Sequence, residues 1–114
     1  MRQILLLDLK DDPDAITAYR HWHRPGGPPP AVTRAIRESG IQRLEIFQAG
    51  DRLVMVMETA PSFDPIAKAR RDADDPEVQA WERLMDQYQR RLPFAPGDAK
   101  WVSAAQIYSL DEQP

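Results

Sequence analysis

At 114 residues the chain has room for one domain, spanning 1–114, and a chain this short hides only about 65% of its unfolded surface on folding, so its core is small. Hydrophobic residues make up 42% and charged residues 29%, which excludes disorder as the main state. The net charge of −3, without a basic cluster, argues against nucleic acid as a partner, and a chain without cysteine can form no disulfide, thiolate nucleophile, iron–sulfur cluster or cysteine zinc site.

The longest apolar runs, Ile4–Leu7 and Leu53–Met57, fall far short of the ~20 residues of a membrane span. Only a short apolar run follows Met1-Arg2-Gln3, too few residues for a secretory leader. The expectation is a cytoplasmic protein with no membrane partner.

Arg2–Leu9, RQILLLDL, reads as a strand, central because both of its faces are apolar. Asp12-Pro13-Asp14 then opens a helix: Asp12 caps the free amides and Pro13 fits the first helical position, where no N–H is needed. Ile16, Tyr19, Trp22 and His23 share one stripe of it at spacings of three and four. The run Arg24–Pro30, RPGGPPP, stops that helix and reads as an ordered loop or lid, too short to link domains. Pro30 starts a second helix to Ser39, closed by Gly40.

Ile41–Ala49 and Arg52–Thr59 form an antiparallel hairpin turning at Gly50, the second strand central. Pro61–Asp72 reads as a short helix. Asp75-Pro76-Glu77 opens the longest one, with an apolar stripe of Val78, Trp81, Leu84 or Met85, Tyr88 and Leu92, ended by Pro93–Gly97. Trp101–Leu110 reads as the last strand. The order β, α, α, β, β, α, α, β gives an α+β protein: a ferredoxin-like antiparallel sheet with its helices on one face. Its other face is left half apolar, and two such sheets stacked together would make a dimeric α/β barrel.

Histidine and tyrosine are the scarce chemical resources. Tyr19 and His23 sit about one helical turn apart on one face. An imidazole gives and takes protons near neutrality at little cost, and a phenol one turn away can orient a polar substrate or complete a relay. The plainer alternative is a core tyrosine beside a helix-capping histidine. His21 points about 200° around the helix from His23, a poor geometry for the two to share a metal. Trp81 offers an indole face suited to the C–H face of a sugar, or simply a core position. Asp8, Glu45 and Glu58 read as salt-bridging carboxylates. The G-x-G-x-x-G, P-loop, G-x-S-x-G and H-E-x-x-H patterns are absent from the sequence. Cofactor-free and metal-free acid–base chemistry on a small molecule, or no chemistry, is what survives.

The chain resembles the L-rhamnose mutarotases over nearly its whole length. The likeness lies in Y-R-H-W-H-R-P at 19–25, S-G at 39–40, L-E-I-F at 44–47, R-L-V-M-V-M-E at 52–58 and D-P-E-V-Q-A-W at 75–81. The resemblance implies a dimeric ferredoxin-like barrel that equilibrates the α and β anomers of a 6-deoxy sugar. It implies that His23 is the acid–base group, that Tyr19 contacts the sugar and that Trp81 lines its site, with no cofactor. Glu82 stands where the family often has a second aromatic residue, Leu44 where a tyrosine is expected, and GGPPP where a tryptophan often follows the histidine–proline turn. These departures leave the sugar open between L-rhamnose and another 6-deoxy sugar such as L-fucose. Leu44 and Glu82 become candidate substrate contacts, Leu44 as part of an apolar pocket for the 6-methyl group. Two other readings fit the same plan: a different cofactor-free enzyme, such as a monooxygenase-like handler of flat ligands, and a non-catalytic ligand-binding module.

Overall fold

The computed structural model describes residues 1–114. The elements run β1 (Arg2–Leu9), α1 (Pro13–Trp22), α2 (Pro30–Glu38), β2 (Ile41–Ala49), β3 (Arg52–Thr59), α3 (Pro65–Asp74), α4 (Pro76–Asp86), β4 (Gln89–Arg90) and β5 (Val102–Ser103), before a last 3₁₀ turn at Leu110–Glu112. One antiparallel sheet has the order β2-β3-β1-β4, with β5 also pairing β1. The two strands expected to be central, β1 and β3, are the two inner ones.

Three Asp-Pro pairs set three of the helix starts. Asp12 accepts from the Asp14 amide at 3.0 Å, Asp64 from Ile66 and Ala67 at 2.9 and 3.2 Å, and Asp75 from Glu77 and Val78 at 3.0 and 3.3 Å. Each cap satisfies amides that have no intrahelical partner, and the following proline has none to satisfy. The Asp64 cap corrects the expected third helix: it begins at Pro65 rather than Pro61 and runs to Asp74.

Two further expectations are corrected. The helix opened by Asp75 ends at Asp86, not near Leu92, so Tyr88 and Leu92 leave its stripe. The Gln87 and Tyr88 amides close its last turn on the Leu84 and Met85 carbonyls, and the chain is then captured by the edge of β1. Gln89 and Arg90 pair with Leu9 and Asp8, and the Lys10 amide donates to the Tyr88 carbonyl at 2.8 Å. The final strand shrinks from Trp101–Leu110 to Val102–Ser103, extended by one bond from the Ala104 amide to Ile4. Past Ala104 the chain no longer pairs with β1, although that strand runs on to Arg2, and Ile107, Tyr108 and Leu110 are exposed.

Paired residues of an antiparallel ladder share a face. Leu5, Leu7 and Leu9, with Leu53, Met55 and Met57, turn toward the helices. Leu9 and Leu53 join Tyr19, Val32, Val78, Trp81 and Met85 in the core. The opposite face carries Ile4, Leu6, Val54, Val56, Phe47 and Val102 with no helix over it, and Phe47 is 54% exposed. At the end of this face Asp8 is buried against Arg52, which donates to both its oxygens at 2.8 and 3.2 Å, with Arg90 at 3.6 Å. The hydrogen bond from Arg52 holds the Asp8 carboxyl below its ordinary value, against the opposing effect of burial.

Candidate active site

The last turn of α1 builds the centre of the site. Tyr19 is buried, and His23 closes the helix with its amide on the Tyr19 and Arg20 carbonyls at 3.3 and 3.2 Å. The His23 side chain repeats the contact: Nδ1 lies 2.7 Å from the same Tyr19 carbonyl. A carbonyl oxygen only accepts, so Nδ1 carries the proton and Nε2 keeps its lone pair. Burial favours the neutral ring and holds the imidazole pKa below 6.5, against the opposing pull of that carbonyl. The two aromatic rings stack with centroids 4.2 Å apart and planes tilted by 33°.

The Trp81 indole stands edge-on to His23 at 5.4 Å and to Trp22 at 6.3 Å. Asp75 places it by capping α4, which starts at Pro76 and turns Val78, Trp81 and Met85 inward. The loop after His23 folds tightly back on α1: a Cβ on Gly27 would lie 2.3 Å from the Trp22 carbonyl oxygen, so only glycine fits. Pro28 of that loop lines the same cavity as Tyr19, His23 and Trp81.

That cavity, about 800 Å³, lies between the helices and the inner sheet face. It is within the usual ~300–1,000 Å³ of small-molecule sites. Its walls are mixed, with Leu44, Ile46, Met55 and Met57 joined by Gln42, Glu82 and Gln89. Tyr19, His23, Trp81, Glu82 and Leu44, far apart in sequence, all border it. His21 is exposed and stays outside.

The model of the L-rhamnose mutarotase family matches residues 2–110. The chain belongs to this family. Among curated proteins, an L-fucose mutarotase of Xanthomonas campestris pv. campestris is 49% identical over 112 residues, 97% of this chain and 89% of that one. Among solved structures, the L-rhamnose mutarotase of Formosa agariphila covers 96% of this chain and 98% of its own at a TM-score of 0.62 and 13% identity. A type-II polyketide cyclase of Streptomyces glaucescens, tetracenomycin F2 cyclase, covers 96% and 97% at a TM-score of 0.58 and 16% identity. The last two likenesses are likenesses of fold.

Within this member of the mutarotase family the candidate contacts differ in character. Leu44 is half-buried on the inner face of β2, at the cavity wall. Glu82 also reaches it, but its carboxylate is already engaged by Lys100 at 2.7 Å, which also holds Asp86 at 2.6 Å. Burial works against the Lys100 charge, yet its bonds to Asp86 and Glu82 keep its pKa above 10.5. This clamp ties the segment before β5 to α4, and Trp101, next to Lys100, lies at the cavity wall.

Gln89 gave no signal in the sequence at all. It borders the cavity from β4, nine-tenths buried, and its Nε2 donates to the Tyr19 hydroxyl at 3.3 Å. Its Oε1 is buried without a hydrogen-bond partner. Burial raises the Tyr19 pKa above 10.0, so the phenol keeps its proton, and with its oxygen already accepting from Gln89 that proton is free to be donated.

Proposed function

We propose that this protein is a sugar mutarotase that interconverts the anomers of a 6-deoxy aldose, with L-fucose preferred over L-rhamnose. The observation that carries the reading is the His23 tautomer: Nδ1–H is spent on the Tyr19 carbonyl, so a neutral Nε2 is left to act as a base among polar and aromatic cavity walls. The preference for L-fucose draws on the 49% identical relative of that name, and on Leu44 and Glu82, two of the positions that depart from the rhamnose pattern.

The chemistry needs one proton removed and one returned. Nε2 of His23 takes the proton of the anomeric hydroxyl. The C1–O5 bond breaks, its electron pair passes to O5, and C1 becomes an aldehyde. O1 and O5 are bonded to the same carbon, so the imidazolium can hand its proton to O5 without moving far. The Tyr19 hydroxyl donates a hydrogen bond to O5 as charge gathers there. Rotation about C1–C2 exposes the other face of the carbonyl, and the reverse transfers close the ring as the other anomer. Trp81 packs on the C–H face of the sugar, and Leu44 meets the 6-methyl group. Every step uses groups of this chain, and positioned acid–base groups contribute about 10²–10⁴-fold.

The same reading includes a homodimer in which the open apolar sheet face of one copy stacks on that of another. Absence of cysteine is compatible with a cytoplasmic site of action. A second reading has one observation behind it: the cavity is roomier than a single sugar ring requires, and much of its wall is apolar, as a flat polycyclic ligand would want. Exchange NMR decides between them. Catalytic amounts of the protein should broaden and cross-saturate the anomeric signals of L-fucose, and less strongly those of L-rhamnose. Sugar binding without enhanced exchange would reduce the protein to a binding module. Neither binding nor exchange, with tight uptake of an aromatic polycycle, would support the second reading.

A further inference from the structure

The amide of Gln89 has two ends, and only one is used. Nε2 donates to the Tyr19 hydroxyl, while Oε1, equally buried, has no partner. An amide oxygen withdrawn from water into an apolar setting costs free energy unless something donates to it. No donor of the chain lies within hydrogen-bond distance of Oε1: Gln89 pairs with Leu9 across the ladder, and the Tyr19 hydroxyl beside it accepts from the other end of the amide. The cavity is the remaining direction, since Gln89 forms part of its wall.

We propose that Gln89 is a substrate-binding, specificity-determining residue whose Oε1 accepts a hydrogen bond from a ring hydroxyl of the sugar other than the one at C1. The inference rests on the mutarotase reading above and deepens it. The C1 hydroxyl is excluded because its single proton goes to His23 Nε2. A neighbouring hydroxyl must therefore supply the donor, and a hydroxyl is the group in which a sugar is richest. Gln89 acts on two atoms at once. By donating to the Tyr19 oxygen it directs the phenol proton toward the substrate, and by accepting from a sugar hydroxyl it fixes how the ring sits against that proton.

The test compares L-fucose with its 2-, 3- and 4-deoxy analogues by exchange NMR, in the unaltered protein and in Gln89→Met, which keeps side-chain length and removes both polar ends. A site built to bond one hydroxyl rejects the analogue that lacks it. The unaltered protein should exchange one of the three analogues about tenfold more slowly than L-fucose. Gln89→Met should slow L-fucose by a similar factor and show no additional loss on that analogue. Gln89→Glu, which retains an acceptor, should keep the discrimination. The proposal is overturned if Gln89→Met preserves the analogue profile of the unaltered protein. It is equally overturned, whatever the variants do, if the unaltered protein exchanges all three analogues as fast as L-fucose. Failure of the unaltered protein to exchange any 6-deoxy sugar would be a different result, removing the mutarotase reading and this proposal with it.

Discussion

The Tyr19 carbonyl accepts from His23 twice, once from the backbone amide at 3.3 Å and once from Nδ1 at 2.7 Å, so one oxygen both ends the helix and sets the histidine tautomer. Removing the side chain leaves the backbone bond in place. His23→Ala should therefore fold with little change in melting temperature and bring catalysed anomer exchange down by about 10²–10⁴-fold, to the rate in buffer. Exchange NMR and a thermal melt on one preparation check both halves. Undiminished exchange would remove His23 from the mechanism.

The acid limb of the rate profile should reflect the same ring. Burial lowers the His23 pKa below 6.5, so the neutral base persists to lower pH than free imidazole would allow, and exchange should fall off with a midpoint under 6.5. Stability follows with a definite sign. A group whose folded pKa is depressed binds fewer protons folded than unfolded, so its contribution is present above the unfolded pKa and is lost as pH falls through the folded one. His23 thus weakens the fold as pH drops below about 6.5, and Asp8, held below 3.8 by Arg52, does so again at lower pH. Denaturant midpoints across pH should decline in two separated stages, and Asp8→Asn should abolish the lower one.

Much of this was legible because the cues were local. Asp12-Pro13 and Asp75-Pro76 state a cap and a first helical residue in adjacent letters, and the i, i+4 spacing of Tyr19 and His23 places both on one face before any packing is known. What escaped was decided by distant partners. Helix propensity continues through Tyr88, but the edge of β1 and the two aspartates around Arg90 claim the chain at Gln89. That switch turns Gln89 into the cavity, so its role had no signature in its own neighbourhood. Trp101 likewise lies at the site beside a lysine clamp that no spacing rule anticipates.

That clamp can be tested by itself. Lys100→Met frees Glu82 and Asp86, both about half exposed, so stability should fall by less than about 1 kcal/mol. Its larger effect should be on Trp101, which loses its anchor to α4. KM for the sugar should rise more than kcat falls, and amides of residues 98–103 should exchange with solvent faster. Unchanged KM with unchanged amide exchange would show the clamp to be incidental to the site.

Gly27 should tolerate no side chain. A Cβ 2.3 Å from the Trp22 carbonyl oxygen forces the loop away from the helix end. Gly27→Ala should cost about 1–3 kcal/mol, the usual range for overpacking. It should also raise KM, because Pro28 next to it lines the cavity. Gly26→Ala is the control for loop chemistry: it has open space around its Cβ and suffers only the strain of its positive φ of 78°. Equal losses in the two variants would refute the contact argument.

The open sheet face makes the last prediction. Val56 lies between Ile4 on β1 and Glu45 on β2, on the side no helix covers. In a lone chain, Val56→Lys would leave a half-exposed lysine with a carboxylate across the ladder, a change the fold can absorb. Stacked against a second copy, the same lysine would be driven into apolar surface. An uncompensated buried charge costs about 3–5 kcal/mol, which raises the dimer dissociation constant by more than about a hundredfold. Light scattering should therefore give twice 13.1 kDa for the unaltered protein and 13.1 kDa for the variant at micromolar concentration. Circular dichroism should remain the same for both. A variant that stays dimeric would place the contact elsewhere, with the exposed Ile107, Tyr108 and Leu110 as the next surface to alter.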